Sequence, residues 1–210
     1  MNTRRAIRST ALAPAAIALA LAVPPGLSET SRAGETSVAA VSRLATLSGE
    51  WQGTNEWTGG RSDRGTMNAR YFTTGNGSAV VETLTVDGVP MMTTVYHADG
   101  SDLRMTHYCA ARNQPRLKAS KIDLAGGAID FAFVDATNPA APDAPRVTGL
   151  EVRFGDADHL TLVFLFEGGG KSSRERITLH RVHVSEKWGP RNGDRFIFLA
   201  SLSKPCFPKK

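Results

Sequence analysis

Residues 78–110, SAVVETLTVDGVPMMTTVYHADGSDLRMTHYCA, decide the fold. Three alternating runs, 78–86, 89–97 and 102–110, are separated by Asp87-Gly88 and Asp99-Gly100. Asp-Gly between alternating runs is a strong hairpin signal, because the tight turns that match strand twist need residues tolerant of positive φ. Alternate side chains of a strand point to opposite faces, so the stretch predicts three antiparallel strands with one face turned to a core.

The turns also predict a register. A two-residue turn at Asp99-Gly100 sets Tyr96 opposite Leu103, Thr94 opposite Met105 and Met92 opposite His107, with His97 on the other face. Leu103, Met105 and Cys109 alternate with Asp102, Arg104 and Thr106, which marks the face carrying His107 as the inward one. Across Asp87-Gly88 the same counting puts Glu82 opposite Thr93, on the outward face with His97, unless a bulge re-aims it. His97, His107 and Glu82 therefore do not converge as a metal site requires. His107 is left as a lone inward polar group, either a satisfied core histidine or part of a cavity wall.

Outward from this block the pattern repeats. LSGEWQGTNEW (47–57) puts Trp51, Gly53, Asn55 and Trp57 on one face, and further strands are predicted at 66–74, 116–123, 128–136, 147–154, 159–166 and 174–184. About ten strands at this spacing, each joined to the next by a short loop, predict an all-β, mostly up-and-down antiparallel barrel, since closure removes exposed edges. One short amphipathic helix is predicted over 34–46, with Val38, Val41 and Leu44 on its buried stripe. EGGGKSS (167–173) lacks the first glycine of a phosphate loop, having Leu165 there, and leads into a strand, so it reads as a hairpin loop. Asn76-Gly77-Ser78 reads as turn chemistry rather than as a glycosylation acceptor.

The ends differ from the body. MNTRRAIRS followed by the 13-residue apolar run 11–23 and Pro24-Pro25-Gly26 reads as an export signal, and the run is too short for a permanent membrane anchor. The expected organisation is a signal peptide and leader at 1–33, a barrel at 34–184, and a short basic tail at 185–210, with export to a periplasmic or extracellular site. The formal charge of +5 sits in the leader and tail, which carry +3 and +4 and leave 34–184 at −2. No basic stripe with interleaved aromatics remains, so no nucleic-acid partner is expected. Two cysteines in an exported chain make Cys109 and Cys206 a candidate disulfide, with Cys109 as a small buried hydrophobe the alternative.

ARNQPR (111–116) is a polar loop in which Arg112 and Arg116 have the donor geometry to hold an anion, beside Asn113 and Gln114. A solvated turn before Pro115 explains the same composition. No Gly-x-Ser-x-Gly or other nucleophile motif is present.

GEWQGTNEW (49–57), the block from Gly77 to Gly100 and THYCAARNQPR (106–116) resemble a group of small exported bacterial proteins with a calycin-like β-barrel, most without an assigned function. The resemblance covers about residues 45–184. It implies a barrel shaped like lipocalins and fatty-acid-binding proteins, which hold small, often apolar ligands in the lumen. Glu50-Trp51-Gln52-Gly53 is also similar to the opening strand of nitrobindin-type haem barrels, but no histidine here matches their proximal ligand, so no cofactor is expected and haem is unsupported. On the family pattern Glu82 is a candidate site residue. The expected ligand is a small, partly apolar molecule lined by Trp51, Met92, Tyr96, Met105 and His107, with Asn113, Gln114 and Arg116 near a mouth. An enzyme using His107 as general acid or base, and a filled barrel acting through its surface, are the alternatives.

Overall fold

The computed structural model describes residues 36–183. The leader, the tail from 184 onward and Cys206 lie outside the described residues, as does any pairing of Cys206 with Cys109. Ten strands form one closed antiparallel barrel in which each strand pairs with the next, and the last with the first. They are β1 Gly49–Gly59, β2 Asp63–Thr74, β3 Ala79–Val86, β4 Val89–Asp99, β5 Asp102–Tyr108, β6 Gln114–Asp123, β7 Ala128–Thr137, β8 Arg146–Phe154, β9 His159–Gly168 and β10 Lys171–Arg181. The all-β, ten-stranded, up-and-down reading of the sequence is the observed architecture.

The closing seam joins β1 to β10, from Trp51 opposite Arg181 to Gly59 opposite Ser173. Gly53 is required there: a Cβ on it would lie 1.8 Å from the Thr178 carbonyl oxygen. The glycines at 168–170 do make a hairpin, with Lys171 paired to Gly168 and positive φ at Gly169 and Gly170.

A helix, α1 (36–45), closes one end of the barrel. Its buried stripe is Ser37, Ala40, Val41 and Leu44, while Val38 is 58% exposed. That corrects the predicted stripe by one position, because Ser37 turns inward to donate from Oγ to the Gly100 carbonyl at 2.8 Å. The Trp51 indole N–H donates to the Leu47 carbonyl at 2.8 Å, and Arg181 lies over the Trp51 ring and donates to the carbonyls of Thr46 and Ser48. The plug is thus tied to the seam.

Above this plug the lumen is filled. Trp51, Tyr71, Tyr96, Leu103, Met105, Leu150 and Phe164 are fully buried, and they interdigitate as the alternation of each strand dictates.

Candidate functional site

Two polar constellations break the apolar interior, one in the packed middle and one at the end opposite α1. The first depends on a bulge. Val86 pairs with Val89 and Thr85 with Pro90, but Leu84 pairs with Met92, so β4 carries one extra residue there. Pro90 has no N–H to give the ladder, which suits it to such a break. The slip sets Glu82 opposite Thr94 rather than Thr93 and turns its carboxyl inward, correcting the outward face expected from simple counting. On the next hairpin Gly100 and Ser101 form the turn, with Asp99 opposite Asp102 and His107 opposite Thr94, not Met92. This shift is by two residues, so His107 stays inward and His97 outward.

The result is a chain of buried groups. Glu82 Oε2 accepts from the hydroxyls of Tyr71 at 2.6 Å and Tyr96 at 3.0 Å. The Thr94 hydroxyl lies 3.2 Å from Glu82 Oε1 and 2.9 Å from His107 Nδ1. Glu82, Thr94 and His107 are all fully buried. Burial raises the Glu82 pKa against the lowering pull of the Tyr71, Tyr96 and Thr94 hydroxyls, and burial lowers that of His107 to about 4. The phenols of Tyr71 and Tyr96 are pushed well above their ordinary value by burial and by the Glu82 charge.

Thr94 has one proton for two neighbours. With Glu82 ionised, that proton points to the carboxylate and His107 Nδ1–H donates to Thr94, which leaves Nε2 with a lone pair. With Glu82 protonated on Oε1, the direction reverses and Nε2 carries the proton. His107 Nε2 has no hydrogen-bond partner among the described residues, and its ring packs 5.1 Å from that of Phe164.

The second constellation surrounds a cavity of about 710 Å³, bounded by the loops that follow β1, β3, β5 and β7 and by the facing ends of β9 and β10. Its walls include Trp57, Met67, Met92 and Phe166, with the Trp57 and Phe166 rings 4.8 Å apart. Asn55 and Glu175 form one polar pair on it, beside Arg61, Asp63, Arg64, Thr66, Asp87 and Ser173. Asn55 Nδ2 donates to Glu175 Oε1 at 2.7 Å, while Glu175 Oε2 and Asn55 Oδ1 have no partner. Burial raises the Glu175 pKa, partly offset by Asn55, the Arg61 charge and the Trp57 side chain. Arg61 sits at the rim, 4.2 Å over Trp57 and 2.9 Å from Asp63. The half-buried Cys109 thiol is on the wall, pushed up chiefly by burial, and has no disulfide partner among the described residues.

The residues singled out from sequence fall in different places. Met92 is on the cavity wall, whereas Tyr96, Met105 and His107 lie in the filled middle and Trp51 at the α1 end. Asn113 is buried and donates to the Pro145 carbonyl at 2.9 Å, tying two loops together. Gln114 accepts from Thr137, and Arg116 is outside, held by both oxygens of Asp135 at 2.6 Å. Arg116 is thus engaged within the protein rather than waiting for an anion.

Sequence reading passed over Tyr71, Asn55 as a polar site and Glu175. The signal for Glu175 was present, since it alternates with Ile177 and Leu179, but an acidic residue in a strand rich in arginine reads as outward. Among the described residues no histidine lines the cavity, so the histidine of the haem barrels has no counterpart there. Among the described residues no group of three His, Cys, Asp or Glu side chains is placed to hold a metal.

No protein-family model matches the chain, and no curated protein matches it. Among solved structures, Rv2717c from M. tuberculosis aligns at 18% identity over 69% of this chain and 98% of that one, with a TM-score of 0.49. A redesigned β-barrel aligns at 12% identity over 67% of this chain and 96% of that one, with a TM-score of 0.32. Neither likeness bears on what the cavity holds.

Proposed function

We propose that the protein is an exported binding barrel that holds a small, partly apolar molecule in the cavity at its open end, not at the centre of its lumen. The carrying observation is the cavity itself. Its volume of about 710 Å³ falls within the roughly 300–1,000 Å³ of small-molecule sites, and its exposed wall is mostly apolar, with charged residues among its lining. The filled middle leaves the ligand no deeper place to go. Export rests on the leader pattern, a charged start before a short apolar run.

The general acid–base alternative for His107 would need a substrate to reach a ring that is fully buried and outside the cavity wall, so we do not adopt it. The test is native mass spectrometry of protein purified from its own cells, beside a Met92→Trp variant that puts a bulkier side chain into the inner wall of the cavity. A bound small molecule is expected on the wild type and absent from a variant with unchanged circular dichroism. Equal retention by a folded variant would refute the site.

A further inference from the structure

We infer that the ligand presents a cationic nitrogen, an alkylamine or amidine head on an apolar body, and that Glu175 is its anchor. This rests on the binding reading above and names the chemistry of that same cavity. Glu175 is 1% exposed, faces the cavity from β10, and has one oxygen satisfied by Asn55 and one with no partner. A buried carboxylate oxygen without a donor is costly, and the neighbouring Asn55 Oδ1 is a second acceptor in the same condition. Beyond the Asn55 amide and the Trp57 side chain, which both favour the Glu175 charge, the patch has more acceptors than donors. An ammonium brings three N–H groups on one centre, enough for both acceptors, whereas a hydroxyl brings one and a carboxylate none.

The charges around the cavity agree. Three carboxylates, Asp63, Asp87 and Glu175, face two guanidiniums, Arg61 and Arg64. Arg61 is taken by Asp63 at 2.9 Å and by the face of Trp57, and Arg64 by Glu56 at 2.5 Å. Both cations are thus occupied at the rim, and Glu175 forms no ion pair among the described residues. Phe166, Met67 and Met92 supply an aromatic ring and polarisable sulfurs that suit the alkyl shell of an ammonium. An anionic ligand would meet the Glu175 charge, and the Arg61 guanidinium that bears on that carboxyl is already paired with Asp63.

The experiment is isothermal titration with three eight-carbon probes that differ only in the head, octylamine, 1-octanol and octanoate, on the wild type and Glu175→Gln at neutral pH. Octylamine is expected to bind the wild type at least about tenfold tighter than octanol, as a charge-assisted hydrogen bond implies, with octanoate weakest. In Glu175→Gln the preference for amine over alcohol should collapse to within about twofold. Octanol matching octylamine on the wild type, or a preference that survives the substitution, would overturn the anchor while leaving the cavity a binding site. No binding by any probe would overturn both readings. Should the variant fail to fold, wild-type titrations at falling pH decide: octylamine affinity must drop as Glu175 takes a proton while octanol affinity holds, and a parallel decline refutes the anchor.

Discussion

His107 carries the plainest prediction at the scale of single residues. Its folded pKa of about 4 lies below its ordinary 6.5, so between those values the unfolded chain binds a proton that the folded one does not. Stability from this group is complete above pH 6.5 and is lost as pH falls toward 4, by about 3 kcal/mol at most. Glu82 has the opposite sign, because its raised pKa makes the folded state the better proton binder and favours it on the acid side. A His107→Asn variant keeps an amide group near Thr94 and should be less stable at neutral pH by about 1–3 kcal/mol. The gap to the wild type should close between pH 6.5 and 4, as read from urea denaturation at a series of pH values. A constant gap across that window would show that His107 does not titrate as its burial implies. The histidine's inward face was legible from alternation alone. Its coupling to Glu82 was not, because one extra residue in β4 decides which way that carboxyl points.

Strands pair locally, and the register between neighbours is set by turns and bulges. Two glycines separate these demands. At Gly53 the β1 backbone passes so close to β10 that a methyl group would overlap the Thr178 carbonyl. At Gly88 a Cβ meets nothing, and only the positive φ of 79° resists a side chain. Gly88→Ala should therefore cost about 1 kcal/mol, the strain of an L-residue in that conformation. Gly53→Ala should cost more than about 3 kcal/mol or prevent closure, since backbone cannot rotate out of the way as a side chain can. Thermal melts followed by circular dichroism compare the two, and equal losses would mean that the seam is looser than its geometry. All ten strands were legible in the sequence to within a few residues, as each has its own alternation and is bounded by turn residues. The bulge was not, because Pro90 and the adjacent Met91-Met92 mark a break in the alternation without saying which strand takes the extra residue.

Over the whole molecule the two ends are different machines. One is plugged by α1 and the other opens into the cavity, with the packed middle between them. Leu44 is 1% exposed under the plug, so Leu44→Ala should cost about 2–5 kcal/mol. Because the cavity is at the far end, octanol affinity at a temperature where both proteins are folded should stay within about twofold of the wild type. A tenfold change, read by calorimetry, would mean that the filled middle transmits the loss. The sequence by itself determined the strand order, the inward face of most strands and the up-and-down closure, because these follow from a period of two and from turns between neighbours. Only the tertiary structure decided that the lumen is filled in its middle and hollow at one end, since that depends on how side-chain volumes from ten strands add up across the barrel. It alone turned Glu82 inward through the bulge. And it alone brought Asn55 and Glu175 together, because their strands pair across a seam 120 residues apart in the chain, beyond the reach of any local pattern.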